Sequence, residues 1–533
     1  MTDTGSAWWR GAAIYQVYVR SFADGNGDGT GDLTGLRQHL PHIATLGVDA
    51  IWLCPWYPSP MADSGYDVSD YRDIEPSFGT LAEAEKFIEE AHSLGLKVII
   101  DIVPNHCSDQ HRWFKEAVAA GPGSPQREMF WFRPASPEPP NDWQSRFGGS
   151  AWSRVPDGEW YLHLYAPEQP DLNWQNPVVH QEFREVLRFW FDRGVDGFRI
   201  DVADGLVKDA ALPNINGRTP DENGTVQLPF SDMDGVHEIY REWRRIADSY
   251  PDPRVFVGEM WLPDQERFAR YLRPDELHSA FNFDFLSCPL EADRLRAVID
   301  STLQAHALVG APATWVLSNH DTTRHVTRYG RADTSFSFAD RQQGAPTDLA
   351  LGTRRARAAA LLSMSLPGGV YVYQGEELGL PEVEDLPDGV RQDPVFSRTN
   401  GADPGRDGCR VPLPWEGEAQ PYGFGGDETW LPQPADWAQY TVAAEAADDG
   451  SMLRLYQNAL RLRREVPALG DGPLTWCPSP DGVLAFARDE HFMCVINLSS
   501  DAVDLPEHTE VLLASDPLVD DRLPANTAVW LNR

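Results

Sequence analysis

The chain has 533 residues, with 45 Lys+Arg against 81 Asp+Glu and a formal charge of −36. A surface that negative repels phosphate backbones and anionic lipid, which argues against nucleic-acid and membrane-surface binding. Hydrophobic residues at 42% and charged residues at 24% suit a globular chain with an ample core rather than a disordered one.

Residues 1–13, MTDTGSAWWRGAA, lack a basic stretch followed by an apolar run, so no signal peptide is expected. No run approaches about 18 apolar residues, and no membrane span is expected either. The six cysteines (Cys54, Cys107, Cys288, Cys409, Cys477, Cys494) show no CxxC spacing and read as free thiols of a cytoplasmic protein. The 19 tryptophans fit stacking surfaces for sugars or simply a large core.

In chain order, short apolar runs recur at IYQVYV (14–19), AIWLCP (50–55), KVIIDIV (97–103), GFRID (197–201), VFVGEM (255–260), FNFDFL (281–286), TWVLSN (314–319) and GVYVYQ (369–374). Their hydrophobicity is continuous rather than alternating, which fits strands buried on both faces of a parallel sheet. Helical patterns fall between them at 81–95, 180–194 and 354–366. Eight strand–helix repeats predict an α/β chain built as a (β/α)8 TIM barrel.

Two spacings break the repeat. Roughly 90 residues separate the third and fourth strands, and they predict a small inserted domain over 104–174 on the face where barrel loops build active sites. A second long segment, 378–437, follows the eighth strand. After a helix at 451–466, the runs VLAFARD, FMCVINLS and TEVLLA predict a C-terminal antiparallel β-sandwich over 470–533. The barrel then spans 1–103 and 175–469.

Polar residues at the C-terminal ends of barrel strands face the site. Strand three brings Asp101 and His106, and strand four brings Arg199 and Asp201, two apart and so on one strand face. Strand five brings Glu259, and strand seven brings His320 and Asp321. A lone strand-end Asp has an ordinary reading as a loop cap or ion-pair partner. Three carboxylates at one rim, beside an arginine and two histidines, read as a site. Glycosidic cleavage needs such carboxylates, one attacking the sugar and the other protonating the leaving oxygen. Across a bound hexose, positions 201 and 259 are expected at the gap of about 5–5.5 Å typical of retaining enzymes.

DIVPNH, GFRIDVA, GEMW and SNHD, in that order, resemble the four conserved regions of glycoside hydrolase family 13, the α-amylase family. QPDLNW (169–174), IYQVYVRSFADGNGDGTGDL, DSGYDVSDY (63–71) and FGGSAW (147–152) resemble its α-glucosidase and oligo-1,6-glucosidase branch. The resemblance implies that Asp201 is the nucleophile, Glu259 the general acid/base and Asp321 the carboxylate gripping the sugar 2- and 3-hydroxyls. It places His106, Arg199 and His320 around the same sugar, Tyr66 beneath it as an aromatic platform, and Phe147 in the inserted domain's contribution to substrate binding. It also pairs Asp63 with Arg410, through the R-x-P-x-x-W pattern, as the couple that closes the site on the terminal glucose. The bland alternatives are a surface arginine at 410 and a packed core tyrosine at 66.

The stretch Asp24-Gly-Asn26-Gly-Asp28-Gly-Thr30-Gly-Asp32 alternates hard oxygens with glycines, as calcium loops do. It is not an EF-hand, because position twelve is Gly35. The branch resemblance implies structural Ca²⁺ held by Asp24, Asn26, Asp28, Asp32 and the Thr30 carbonyl; a Gly/Asp turn without metal is the alternative. No catalytic cofactor is expected.

The reading is an exo-acting retaining α-glucosidase on maltose and short malto-oligosaccharides, a monomer or homodimer acting on small sugars. Val202 after the nucleophile favours α-1,6 bonds, whereas the following Ala203-Asp204-Gly205 looks more like α-1,4-acting enzymes, and α-1,4 is the expectation. Oligo-1,6-glucosidase, glucosyl transferase and sucrose isomerase are the alternatives on the same framework. A non-catalytic ectodomain like those of amino-acid transporter heavy chains fits poorly, since all three carboxylates are present.

Overall fold

The computed structural model describes residues 7–216 and 227–533. The first six residues of the leader reading lie outside them. The barrel begins with β1 (Ala13–Val17), β2 (Ala50–Leu53) and β3 (Lys97–Ile102). Between β3 and the next barrel strand a three-stranded antiparallel sheet forms from β4 (Phe132–Arg133), β5 (Trp152–Arg154) and β6 (Trp160–Leu162). The barrel resumes with β7 (Gly197–Ile200), β8 (Val255–Gly258), β9 (Ser279–Ala280), β10 (Thr314–Val316) and β11 (Gly369–Tyr373).

These eight strands form one parallel sheet in the order β10-β11-β1-β2-β3-β7-β8-β9. The Thr314 hydroxyl donates to the Ala280 carbonyl across the remaining seam between β9 and β10. Most strand residues are buried because helices cover the outer face and side chains fill the interior, which is why their hydrophobicity runs without alternation.

The helices Leu81–Ser93, Pro177–Phe191, Leu349–Ser365 and Met452–Glu465 lie where their periodicity places them. The first starts at a reciprocal cap: the Glu83 N–H donates to the Thr80 hydroxyl oxygen at 3.3 Å, and Glu83 Oε2 accepts from the Thr80 N–H at 2.8 Å.

The sixth strand is a correction. FNFDFL (281–286) is not the strand; the paired residues are Ser279–Ala280, and Phe283–Ser287 is a helix. Asn282 decides it, because its side-chain oxygen accepts from the Phe285 N–H at 3.0 Å and opens the helix. The aromatics at 281, 283 and 285 are all buried, so a short apolar run that reads as a buried strand is here the start of a buried helix.

The C-terminal part comprises β12 (Thr475–Trp476), β13 (Val483–Ala487), β14 (Phe492–Asn497), β15 (Val503–Asp504), β16 (Glu510–Ala514), β17 (Arg522–Leu523) and β18 (Thr527–Asn532). Five of them form an antiparallel sheet ordered β12-β13-β14-β18-β16, and β15 pairs with β17. This sheet packs on the helix Leu349–Ser365, where the Trp530 indole N–H donates to the Leu361 carbonyl at 3.1 Å. All six cysteines are unpaired. Among the described residues no helix is long and apolar enough to cross a membrane.

Candidate active site

Asp101 is the penultimate residue of β3, Arg199 lies in β7 with Asp201 just after it, and Glu259 follows β8, so parallel pairing alone brings them to one rim. Arg199 organises them. Its Nη1 is 2.8 Å from both Asp101 Oδ1 and Asp201 Oδ1, and its Nη2 is 3.5 Å from Glu259 Oε2. Asp101 also accepts from Trp52 Nε1 at 3.1 Å and from the Tyr66 hydroxyl at 3.1 Å, so it anchors the arginine from below.

Residue 202 lies in the left-handed region at φ 49°, an uncommon conformation for a β-branched side chain. The turn directs the Val202 N–H at Glu259 Oε2, 2.8 Å away. Gly205 permits this path, since a Cβ there would lie 2.6 Å from Val202 Cγ1. The other oxygen of Glu259, Oε1, accepts from Trp261 Nε1 at 3.0 Å.

Burial pushes the Asp201 carboxyl well up; Arg199 pulls against it, while Glu259, Asp101 and Asp321 add to the rise. Burial also raises Glu259, opposed by Arg199 and the Val202 N–H. Two carboxyls sharing one guanidinium release their protons as a pair, and one proton between them leaves one base and one acid. Glycosidic cleavage uses that division of labour. Asp321 differs. Burial opposes its charge, but His320, which is protonated in the acid range where it acts, and Arg406, Arg410 and Arg199 outweigh burial and hold it well below the usual carboxylate range.

His320 is locked by a donor chain: Gln16 Nε2 is 2.6 Å from its Nδ1, its Nε2 is 2.7 Å from the Tyr66 hydroxyl, and that hydroxyl donates to Asp101. The Tyr66 and His320 rings stack at 5.4 Å with a 5° interplanar angle. Burial lowers His320 to about 3 and His106 to about 4, so both are neutral near pH 7.

The inserted segment closes one wall. Gln169 Nε2 donates to Asp63 Oδ2 at 3.0 Å and sits 3.1 Å from His106 Nε2. Phe147 is buried against Tyr165, with ring centroids 5.3 Å apart, and faces the Arg406 guanidinium at 5.2 Å. Behind this wall Lys208, wholly buried, holds Asp171 at 2.8 Å and donates to Asn105 Oδ1 at 2.6 Å. Burial lowers the Lys208 ammonium, against the pull of Asp171.

Asp63 and Arg410 each take another residue as direct ion-pair partner, although the Arg410 charge still acts on Asp63. Arg410 is no surface arginine; it is wholly buried, but its carboxylate partner is Asp321, with Nη2 to Oδ1 at 2.8 Å. Asp63 pairs with Arg406, Nη2 to Oδ1 at 2.6 Å, and the same guanidinium reaches Asp321 at 3.2 Å and Asp393 at 2.5 Å. The two arginines are four residues apart in RDGCR, and the bend of the short turn Asp407–Cys409 lets both face the site. Sequence reasoning also assigned no role to Gln169, Asp393 or Trp261, although QPDLN and GEMW contain two of them.

In the Asp24–Asp32 loop the side-chain oxygens first serve their own backbone. Asp24 Oδ1 accepts from Asn26 N at 3.0 Å, Asn26 Oδ1 from Asp28 N at 2.9 Å, Asp28 Oδ1 from Thr30 N at 2.9 Å and Asp32 Oδ1 from Gly35 N at 2.7 Å. Burial raises Asp32, backbone N–H groups oppose it, and Asp24 and Asp28 add to the rise. Hard oxygen donors of this kind suit a Ca²⁺ ion, which would relieve that repulsion. Among the described residues, however, no three His, Cys, Asp or Glu side chains are gathered as a ready metal cage.

Residues 16–472 match the model of the α-amylase catalytic domain. The chain belongs to the α-amylase family. It is 37% identical over 528 residues to a probable alpha-glucosidase of Rhizobium meliloti, covering 93% of this chain and 90% of that one. It is 36% identical over 515 residues to the trehalose-6-phosphate hydrolase of Escherichia coli, covering 88% of each. A crystal structure of an alpha-glucosyl transfer enzyme superposes with a TM-score of 0.86 at 35% identity and 99% coverage of both chains. As a member of the α-glucosidase branch, this α-amylase-family protein is a glycoside hydrolase acting on carbohydrate.

Proposed function

We propose an exo-acting retaining α-glucosidase that releases terminal non-reducing α-1,4-linked glucose from maltose and short malto-oligosaccharides. The observation that carries it is the buried Asp63–Arg406–Asp393 ion-pair network beside Asp321, which in this reading serves as a charged end wall against further sugars. In this reading Asp201 attacks the anomeric carbon while Glu259 gives its proton to the leaving oxygen. Glu259 then takes a proton from water, which opens the β-glucosyl ester and yields α-glucose. Asp321 holds sugar hydroxyls, and its bonds strengthen as the ring distorts.

The test is a time course on maltose, isomaltose, sucrose, trehalose, trehalose 6-phosphate and starch, with the anomer followed by NMR. Release of α-glucose from maltose, little action on starch interiors, and fluoro-sugar labelling of the Asp201 peptide are expected. β-Glucose, or a label on another carboxylate, overturns the reading. Glu259→Gln should bind maltose and not cleave it.

Glucosyl transfer is the second reading, favoured by the 35% identity to the transfer enzyme, and is read from products at high sugar concentration. Val202 keeps α-1,6 cleavage within the same test. A cytoplasmic setting fits the six unpaired cysteines. We further propose Ca²⁺ at the Asp24–Asp32 loop as a structural ion; chelation should lower the melting temperature, and an unchanged melt overturns it.

A further inference from the structure

Glu259 accepts two N–H donors that point at different oxygens. The Val202 N–H reaches Oε2 at 2.8 Å from inside, and Trp261 Nε1–H reaches Oε1 at 3.0 Å from the solvent side. The indole itself is fixed. It stacks on Phe283 at 3.9 Å with a 3° interplanar angle and meets Phe338 edge-on at 4.9 Å. Trp261 is nevertheless 38% exposed, an unusual position for so large an apolar ring. Packing on Phe283 accounts for the ring plane, and the bond to Oε1 accounts for the direction of the N–H.

We infer that Trp261 is a positioning residue for the acid/base: its indole N–H fixes the outward oxygen of Glu259 and sets the upper pH at which that carboxyl still holds its proton. This rests on the reading of Glu259 as acid/base. With Oε2 held inward by Val202 and 3.5 Å from Arg199, Oε1 is the oxygen left to deliver a proton to a leaving group. An N–H donor favours the ionised carboxylate, so it makes the proton easier to release. The other groups facing Glu259 are Arg199, which acts in the same sense, and Asp321 and Asp204, which oppose it. Asp201 and Tyr165 also interact with it electrostatically. None of these groups changes when the indole nitrogen alone is removed.

The experiment measures kcat/KM for maltose across about pH 5 to 9 on the full chain. Trp261→Phe keeps a ring for Phe283 and deletes the N–H. Replacement of Trp261 by benzothienylalanine keeps the bicyclic shape, exchanges N–H for sulfur, and carries the test should the phenylalanine variant fail to fold. The basic limb is expected to move up by about half to one pH unit in either variant, the exposure of the bond limiting the shift. A limb that coincides with the wild type, or moves down, overturns the inference, since a purely packing role changes KM or melting temperature and leaves the limb in place. Glu259→Gln separates the two failures. If it still turns over maltose, the acid/base reading falls and this inference with it. If it is inactive while the limb stays put, only this inference falls.

Discussion

Arg406 Nη2 lies 2.6 Å from Asp63 Oδ1, and the same guanidinium lies 2.5 Å from Asp393 and 3.2 Å from Asp321. One guanidinium thus links three carboxylates from separate loops. Truncating a buried ion-pair partner leaves unpaired charge, at about 3 kcal/mol or more. Arg406→Lys should therefore lower kcat/KM for maltose by about a hundred-fold or more, because an ammonium cannot fork to three acids. A change under about ten-fold would show that the pair is not part of sugar recognition.

Lys208 should govern stability rather than chemistry. It is wholly buried between Asp171 and Asn105 and ties the loop after β7 to the inserted segment. Lys208→Met leaves the Asp171 carboxylate without its cation and is expected to destabilise by about 3–5 kcal/mol, read by urea unfolding. A loss below about 1 kcal/mol would show that the buried pair does not carry the stability assigned to it.

Glu376 predicts a pH signature. Burial raises its carboxyl to about 7, against hydrogen bonds from Tyr456, Ser318 and the Tyr373 N–H, with Glu377 adding to the rise. Its folded value exceeds the unfolded one, so the folded state holds a proton that the unfolded state loses first. Its contribution to stability therefore falls as pH rises from about 4.5 to about 7, then stays flat. Glu376→Gln removes that slope. Relative to wild type, the variant should gain on the order of 3 kcal/mol between the two ends of the window, measured by denaturant unfolding at several pH values. Parallel pH curves would contradict a neutral buried Glu376.

Val202 reverses a familiar order. At φ 49° glycine fits better than alanine, so Val202→Gly should unfold no more readily than Val202→Ala. Both variants should lose activity, the glycine more, because the N–H on Glu259 Oε2 is then carried by a looser backbone. A glycine variant clearly less stable than the alanine one would contradict the strained turn.

The barrel was legible because strands buried on both faces leave uninterrupted apolar runs, and because strand ends place Asp101, Arg199, Asp201, Glu259 and Asp321 by position alone. The sixth strand was not, since a short buried apolar run looks the same in strand and helix, and the Asn282 cap decides for the helix.

The sequence by itself determined the barrel and which carboxylates meet at its mouth, since these follow from local pattern and strand order, while the family was legible only through the resemblance of its motifs. Only the tertiary structure decided that Asp63 pairs with Arg406 rather than Arg410, and that the Trp261 N–H reaches Glu259. Both depend on side-chain direction after two bends, at Asp407–Cys409 and beyond β8. Spacing of four residues puts two arginines equally near a site, and only the folded loop tells their guanidinium groups apart.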